Sequence, residues 1–213
     1  MHILAIESVN PTASVALLEG NTLRCFKEGG NTLPQSEFLL PAIAEILKET
    51  SVSLQDINGI AVCTGTGSFT GIRIGLSAAY GLSLAANIPL VGVSAFAATA
   101  HQCAVRKLPL GVLLESQNTF YVQCFALTGE ASTAPLLVTL EGLENTLPQE
   151  PFLKAGNGWA QWGEQPDFST VVNAETIARA AAPLFSSNEN PPFPLPLYVK
   201  ESYAKRPEVS SLL

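Results

Sequence analysis

The chain has 213 residues, of which 47% are hydrophobic. That is enough for one large core or two small lobes and marks a globular, soluble protein. A formal charge of −7 and a pI near 4.8 oppose direct binding of a polyphosphate backbone, which needs a clustered basic surface. Any nucleic-acid role is therefore expected to run through a partner.

In chain order, residues 2–8 form an apolar run. After the polar break Asn10-Pro11-Thr12 a second run follows in Ser14-Val15-Ala16-Leu17-Leu18. Glu19-Gly20-Asn21 reads as a hairpin turn and residues 22–26 as a third strand, so the chain opens as a β-meander. A polar loop over 28–34 leads to a helix in which Leu39, Leu40, Ile43, Ile46 and Leu47 recur at helical spacing. Pro41 lies early enough in that helix to be tolerated. Residues 53–56 make a connector, and 57–63 read as a strand.

That strand enters Thr64-Gly65-Thr66-Gly67-Ser68-Phe69-Thr70-Gly71-Ile72-Arg73-Ile74-Gly75, and a long small-residue helix pattern over 70–86 leaves it. Glycines at such a strand–loop–helix junction let another backbone or an anion come close. Ser68 or Thr70 can cap the helix. Arg73 is expected in its first turn, where the helix dipole disfavours a cation unless an acid or bound anion offsets it. Gly71, Gly75, Ala78, Ala79, Leu82 and Ala85 lie on nearby faces, and small residues at that spacing allow a second helix to approach closely. The loop is G-x-G-x-x-x-G, which matches neither the dinucleotide fingerprint nor the Walker pattern. Position 66 is Thr where a nucleophile elbow around Ser68 needs glycine.

No Asp, Glu, Lys or Arg occurs between Arg73 and Arg106, a length that could span a bilayer. Asn87-Ile88-Pro89 interrupts it, so a buried helix, a strand over 90–93 and a second helix capped by Ser94 are expected instead. Residues 106–109 are the expected lobe boundary. Beyond it, 110–114 and 120–127 read as a strand pair, 136–140 as another strand, Gly156-Asn157-Gly158-Trp159 as a packed turn, and 174–185 as an amphipathic helix. The Pro-rich run 191–196 reads as extended, and the tail from Glu201 as polar and mobile.

Chemistry of the chain's own is sparse. His2 and His101 are isolated and no H-x-x-x-H helix exists, so neither metal nor cofactor is expected. Cys25, Cys63, Cys103 and Cys124 lie far apart and read as reduced, buried thiols. The start carries no basic signal-peptide region, which places the expectation in the cytoplasm, without a membrane. Glu7 closes the first strand, where it is either a solvated strand end or the acid of a vestigial nucleotide pocket.

Leu4-Ala5-Ile6-Glu7-Ser8, Gln35-Ser36-Glu37-x-Leu39-Leu40-Pro41, the long glycine motif and Pro89-x-x-Gly92-Val93-Ser94, in this order and spacing, resemble the bacterial TsaB (YeaZ) family. Fainter matches follow in Gly156-Asn157-Gly158-Trp159, Ala174-Glu175-x-Ile177-Ala178 and Pro196-Leu197-Tyr198-Val199-Lys200. The resemblance implies an α/β fold of the actin/Hsp70-like (ASKHA) type with two lobes, each a mixed β-sheet with flanking helices. We expect residues 1–106 to be the lobe carrying the glycine loop and partner-binding helices, and 107–213 the second lobe with its polar tail. It also implies a non-catalytic subunit for N6-threonylcarbamoyladenosine modification of tRNA beside the anticodon. Such a subunit is the heterodimer partner and activator of the catalytic paralogue TsaD. It is joined by the ATPase TsaE, pairs with itself when TsaD is absent, and meets tRNA only through the complex.

The expected partner interface is Glu37, Leu40, Ile43, Leu47, Gly71, Gly75, Ala78, Ala79 and Leu82, beside the glycine loop of Gly65, Gly67, Ser68, Phe69, Thr70, Gly71 and Arg73. Three departures stand out. Gln35 replaces the family's His, Gly65-Thr66-Gly67 its Gly-Pro-Gly, and Glu115-Ser116-Gln117 its Asp-Ala-Arg. Two alternatives from the enzyme class are an ATP-dependent kinase of the same superfold, suggested by Glu7 and the glycine loop, and a protease, against which the missing histidine pair argues.

Overall fold

Every residue from Ile3 to Glu7 is buried, and that continuous apolar run makes β1 (His2–Glu7) the centre of a sheet covered on both faces. In the computed structural model, which describes residues 1–30, 33–139, 142–186 and 193–199, β1 pairs antiparallel with β2 (Ser14–Glu19). That strand pairs antiparallel with β3 (Thr22–Glu28). On its other side β1 runs parallel to β4 (Gly59–Gly65), which runs parallel to β5 (Leu90–Ser94), giving the order β3-β2-β1-β4-β5. The parallel pairs need crossovers, and two helices supply them. Helix α1 (Gln35–Thr50) joins β3 to β4, and α2 (Phe69–Ala86) joins β4 to β5.

Helix α1 starts four residues before its first periodic leucine, so Pro41 falls in its second turn. Pro41 faces solvent there, where water can take the Glu37 carbonyl that loses its donor. Helix α3 (Ala95–Gln102) follows β5, with the Ser94 hydroxyl accepting from the Ala97 N–H at 3.0 Å as the N-cap. The uncharged stretch between Arg73 and Arg106 is thus α2, β5 and α3, and no helix among the described residues is long and apolar enough to cross a membrane.

The second sheet has the order β8-β7-β6-β9. Strands β6 (Leu110–Ser116) and β7 (Thr119–Phe125) form a two-residue hairpin in which Gln117 and Asn118 both take positive φ, the backbone twist such hairpins favour. Strand β8 (Leu136–Val138) adds to β7, and β9 (Leu153–Ala155) lies parallel to β6. Leu110, Val112 and Leu114 of β6 join the main core, whereas Leu113 between them faces a satellite core with Val122, Val138, Leu143 and Trp159. The packed turn expected at 156–159 closes into a single helical turn, α4 (Gly158–Gln161). The fully buried Trp159 donates its Nε1–H to the Ala155 carbonyl at 2.9 Å.

Helix α5 (Ala174–Ser186) returns to the first sheet, packing across β1, β2, β4 and β5 and against α3. Gly59 makes room for it, since a Cβ there would lie 2.5 Å from the Phe185 ring. Cys63, Cys103 and Cys124 are buried and free as expected. Cys25 differs, being half-buried with its thiol donating to Glu49 at 3.4 Å, because β3 is an edge strand. The tail from Glu201 lies outside the described residues, as do Leu140 of the expected strand over 136–140 and Pro191 and Pro192 of the Pro-rich run.

Trp159 fills the centre of the small satellite core, so Trp159→Ala is expected to cost about 3–5 kcal/mol in urea unfolding. A cost below about 1 kcal/mol would mean that this core contributes little.

Candidate partner surface around the glycine loop

Beyond β1 the backbone turns at residues 8–11, and the glycine loop closes onto that turn. The Ser68 N–H donates to the Val9 carbonyl at 2.8 Å, and a Cβ at Gly67 would sit 2.5 Å from that same oxygen. One turn on, a Cβ at Gly71 would lie 1.9 Å from the Ser8 carbonyl, and one at Gly75 2.3 Å from the Ser8 hydroxyl. The hydroxyl uses this proximity to donate to the Gly71 carbonyl at 2.8 Å. Glycines 67, 71 and 75 therefore form one stripe beneath residues 8 and 9, and the approaching backbone is the chain's own. Ser68 caps α2, accepting from the Gly71 N–H at 3.2 Å. Gln35 ties α1 to the same turn, its side-chain amide donating to the carbonyls of Asn10 at 2.5 Å and Pro11 at 3.2 Å.

Glu7 sits at the same place, 1% exposed. One carboxylate oxygen accepts from the N–H groups of Val9 at 2.7 Å and Asn10 at 2.9 Å; the other accepts from Ser14 at 3.3 Å. Burial pushes its pKa up to about 7 against these stabilising hydrogen bonds, with a small further push from Glu28. Both oxygens are thus committed within the fold. A cleft of about 180 Å³ is lined by Asn10, Thr66, Thr99, Glu115, Asn157 and Val171, and Glu7 is not among its lining residues. The Asn10 amide donates to Val172 at 2.7 Å across that cleft, and Gln102 exchanges two hydrogen bonds with Val171 at 2.8 and 3.1 Å. The Glu115-Ser116-Gln117 departure lies on its far wall, where Glu115 and Asn157 exchange two backbone-to-amide hydrogen bonds at 2.9 and 3.1 Å.

The expected interface residues divide into two groups. Ile43, Gly71, Gly75 and Ala79 are buried in the chain's own packing, where the small residues of α2 lie against residues 6–8 and the sheet. Leu47, Ala78 and Leu82 are half-buried, and Glu37 and Leu40 are exposed, Leu40 by 55%. Between the outward faces of α1 and α2 runs an open groove of about 450 Å³ whose walls include Ser36, Leu40, Thr70, Arg73, Ser77 and Ala78.

Arg73 lies at the fifth residue of α2, beyond the first turn where it was expected. Its guanidinium stacks 3.8 Å from the centre of the Phe69 ring, and its Nε donates to the Tyr198 hydroxyl at 3.1 Å. Tyr198 belongs to a segment over 193–199, of which the sequence marked only 193–196 as extended. Leu197 donates its N–H to the Thr64 carbonyl at 2.8 Å, Phe193 stacks on Tyr80 with ring centres 4.5 Å apart, and Tyr198 meets Phe69 at 4.7 Å. The Tyr80 hydroxyl donates to the Pro194 carbonyl. The alternation of proline with Phe193, Leu195, Leu197 and Tyr198 was the available signal for a docked strap.

Two mixed sheets with flanking helices, the first ordered β3-β2-β1-β4-β5, define an actin/Hsp70-like (ASKHA) fold of two lobes. YeaZ from Pseudomonas aeruginosa has the same fold, superimposing with a TM-score of 0.76 at 24% identity over 92% of this chain and 99% of that one. The family model for TsaD, tRNA N6-adenosine threonylcarbamoyltransferase, matches residues 35–138. The tRNA threonylcarbamoyladenosine biosynthesis protein TsaB of Buchnera aphidicola subsp. Baizongia pistaciae is 33% identical over 168 residues, 74% of this chain and 75% of that protein. That of Escherichia coli is 42% identical over 96 residues, 44% of this chain and 40% of its own length. The chain belongs to the TsaB family.

Two consequences of the geometry are measurable. Gly71→Ala drives a methyl into the Ser8 carbonyl and is expected to destabilise by about 2–4 kcal/mol, whereas Gly81→Ala, with open space around its Cβ, should stabilise α2 by about 0.5–1 kcal/mol. Equal effects in denaturant titrations would refute the docking role of the stripe. Glu7 gives a pH signature. Its pKa is higher folded than unfolded, so its ionisation opposes folding, and stability falls as pH rises from about 4.5 to 7. Between pH 5 and 8 the stability of Glu7→Gln relative to the native chain should increase by about 2–3 kcal/mol; a pH-independent difference would exclude the raised pKa.

Proposed function

We propose that this chain acts in N6-threonylcarbamoyladenosine modification of tRNA as a non-catalytic subunit, the heterodimer partner and activator of a TsaD-type transferase. The observation that carries the reading is the family relationship to TsaB proteins, whose names assign them to threonylcarbamoyladenosine biosynthesis. Two features of this chain support it. The α1–α2 groove is an apolar and hydroxyl-lined surface suited to a helix of a partner. Glu7, the acid a kinase of the same superfold would turn to nucleotide and metal, has both oxygens taken by Val9, Asn10 and Ser14, which disfavours the kinase alternative.

In this reading the net charge of −7 leaves tRNA contact to the transferase, and the site of action is the cytoplasm. The same groove would close two copies on each other when the transferase is absent, and a TsaE-type ATPase joins the assembled pair.

The test is threonylcarbamoylation of tRNA by the same organism's TsaD, with and without this chain. The expected result is activity that needs both proteins, and loss of co-elution with Leu40→Asp and Ser77→Arg, both exposed enough to leave the fold intact. Full activity of TsaD alone, or co-elution of both variants unchanged, would overturn the proposal or its interface respectively.

A further inference from the structure

The α1–α2 groove is walled by apolar and hydroxyl side chains, and among the described residues lining it Arg73 alone is charged. In a chain of net charge −7 an unneutralised cation at this place is a local feature, not a reflection of bulk charge. Arg73 forms no ion pair among the described residues. Of its guanidinium donors only Nε is engaged, by Tyr198, and neither terminal nitrogen has a hydrogen-bond partner among the described residues.

Its orientation is nevertheless fixed twice over. The Phe69 ring holds the guanidinium plane from below, and the Tyr198 hydroxyl, brought across by the 193–199 strap, takes the inner N–H. A guanidinium with its inner edge anchored and its terminal nitrogens open presents the paired donors that match a carboxylate. Anchoring beforehand reduces the side-chain entropy lost on binding.

We infer that Arg73 is a pre-oriented receptor for a carboxylate on the partner that enters the α1–α2 groove, with Phe69 and Tyr198 as its positioning residues. The inference rests on the partner reading above and adds to it the chemistry of the contact. An Asp or Glu on the entering helix is the complementary group.

Calorimetric titration of the same organism's TsaD into the full chain tests this, using Arg73→Gln, Arg73→Lys, Tyr198→Phe and the Arg73→Gln/Tyr198→Phe pair. The expected losses of affinity are about 10- to 100-fold for Arg73→Gln and about 3- to 5-fold for Tyr198→Phe, with Arg73→Lys recovering only part because it lacks the paired donors. Since Tyr198 acts through Arg73, the double variant should bind no more weakly than Arg73→Gln alone. The salt dependence of binding should be steeper for the native chain than for Arg73→Gln, a difference that a purely structural role would not produce.

Native affinity and salt slope in Arg73→Gln, or fully additive losses in the double variant, would overturn the inference. If Leu40→Asp abolishes binding while Arg73→Gln leaves it untouched, the groove stands and the carboxylate contact falls. If the native chain itself fails to bind, the partner reading falls first.

Discussion

The backbone of Ser8 and Val9 lies directly on the first turns of α2, an approach so close that no side chain larger than hydrogen fits at positions 67, 71 or 75. This contact fixes the end of β1, the start of α2 and, through Gln35, the start of α1 as one block. Because the inward faces of both helices are consumed in forming that block, only their outward faces remain to make a groove. The geometry of any partner site on this side of the molecule is thus inherited from a packing constraint at the far side of the same helices.

Glu7 shows what that block requires. Two backbone N–H groups at the turn would otherwise be buried without acceptors, and the carboxylate supplies both from one oxygen. The arrangement places an ionisable group where desolvation opposes its charge, so the hub of the fold carries a pH-sensitive term. An acid at the end of the first strand, which in isolation reads as a ligand for metal or phosphate, here holds a turn. Ser14 extends the same network to α5, since its hydroxyl donates to Glu7 and accepts from the Ala174 N–H at 2.9 Å. The helix from the far end of the chain is thereby bonded to the hub.

The strap over 193–199 links the two ends of this arrangement. It crosses the carboxyl edge of β4, where Leu197 bonds to Thr64, and then reaches the outer side of α2, where Tyr198 meets Phe69 and Arg73. The groove wall is in this way composed of residues from early and late in the chain. Residues that belong to the family's glycine motif, Phe69 and Arg73, take their orientation from a segment more than a hundred positions away.

Hydrophobic periodicity in the sequence was enough to locate the strands of the first sheet, its helices and the helix over 174–185, because each element buries a face at its own repeat. The glycine motif likewise marked a place of close approach. Sequence could not decide which backbone approached. Gly71 and Gly75 would look the same beneath a partner helix as beneath Ser8, and a small side chain records only that space is short. Ala79, expected at a partner surface, is buried within the chain for the same reason. The return of α5 to the first sheet, the anchoring of Arg73 by Tyr198 and the inward aim of Glu7 depend on contacts between distant positions, for which periodicity carries no signal. Local pattern specified the elements and their buried faces; tertiary packing decided which faces were left exposed.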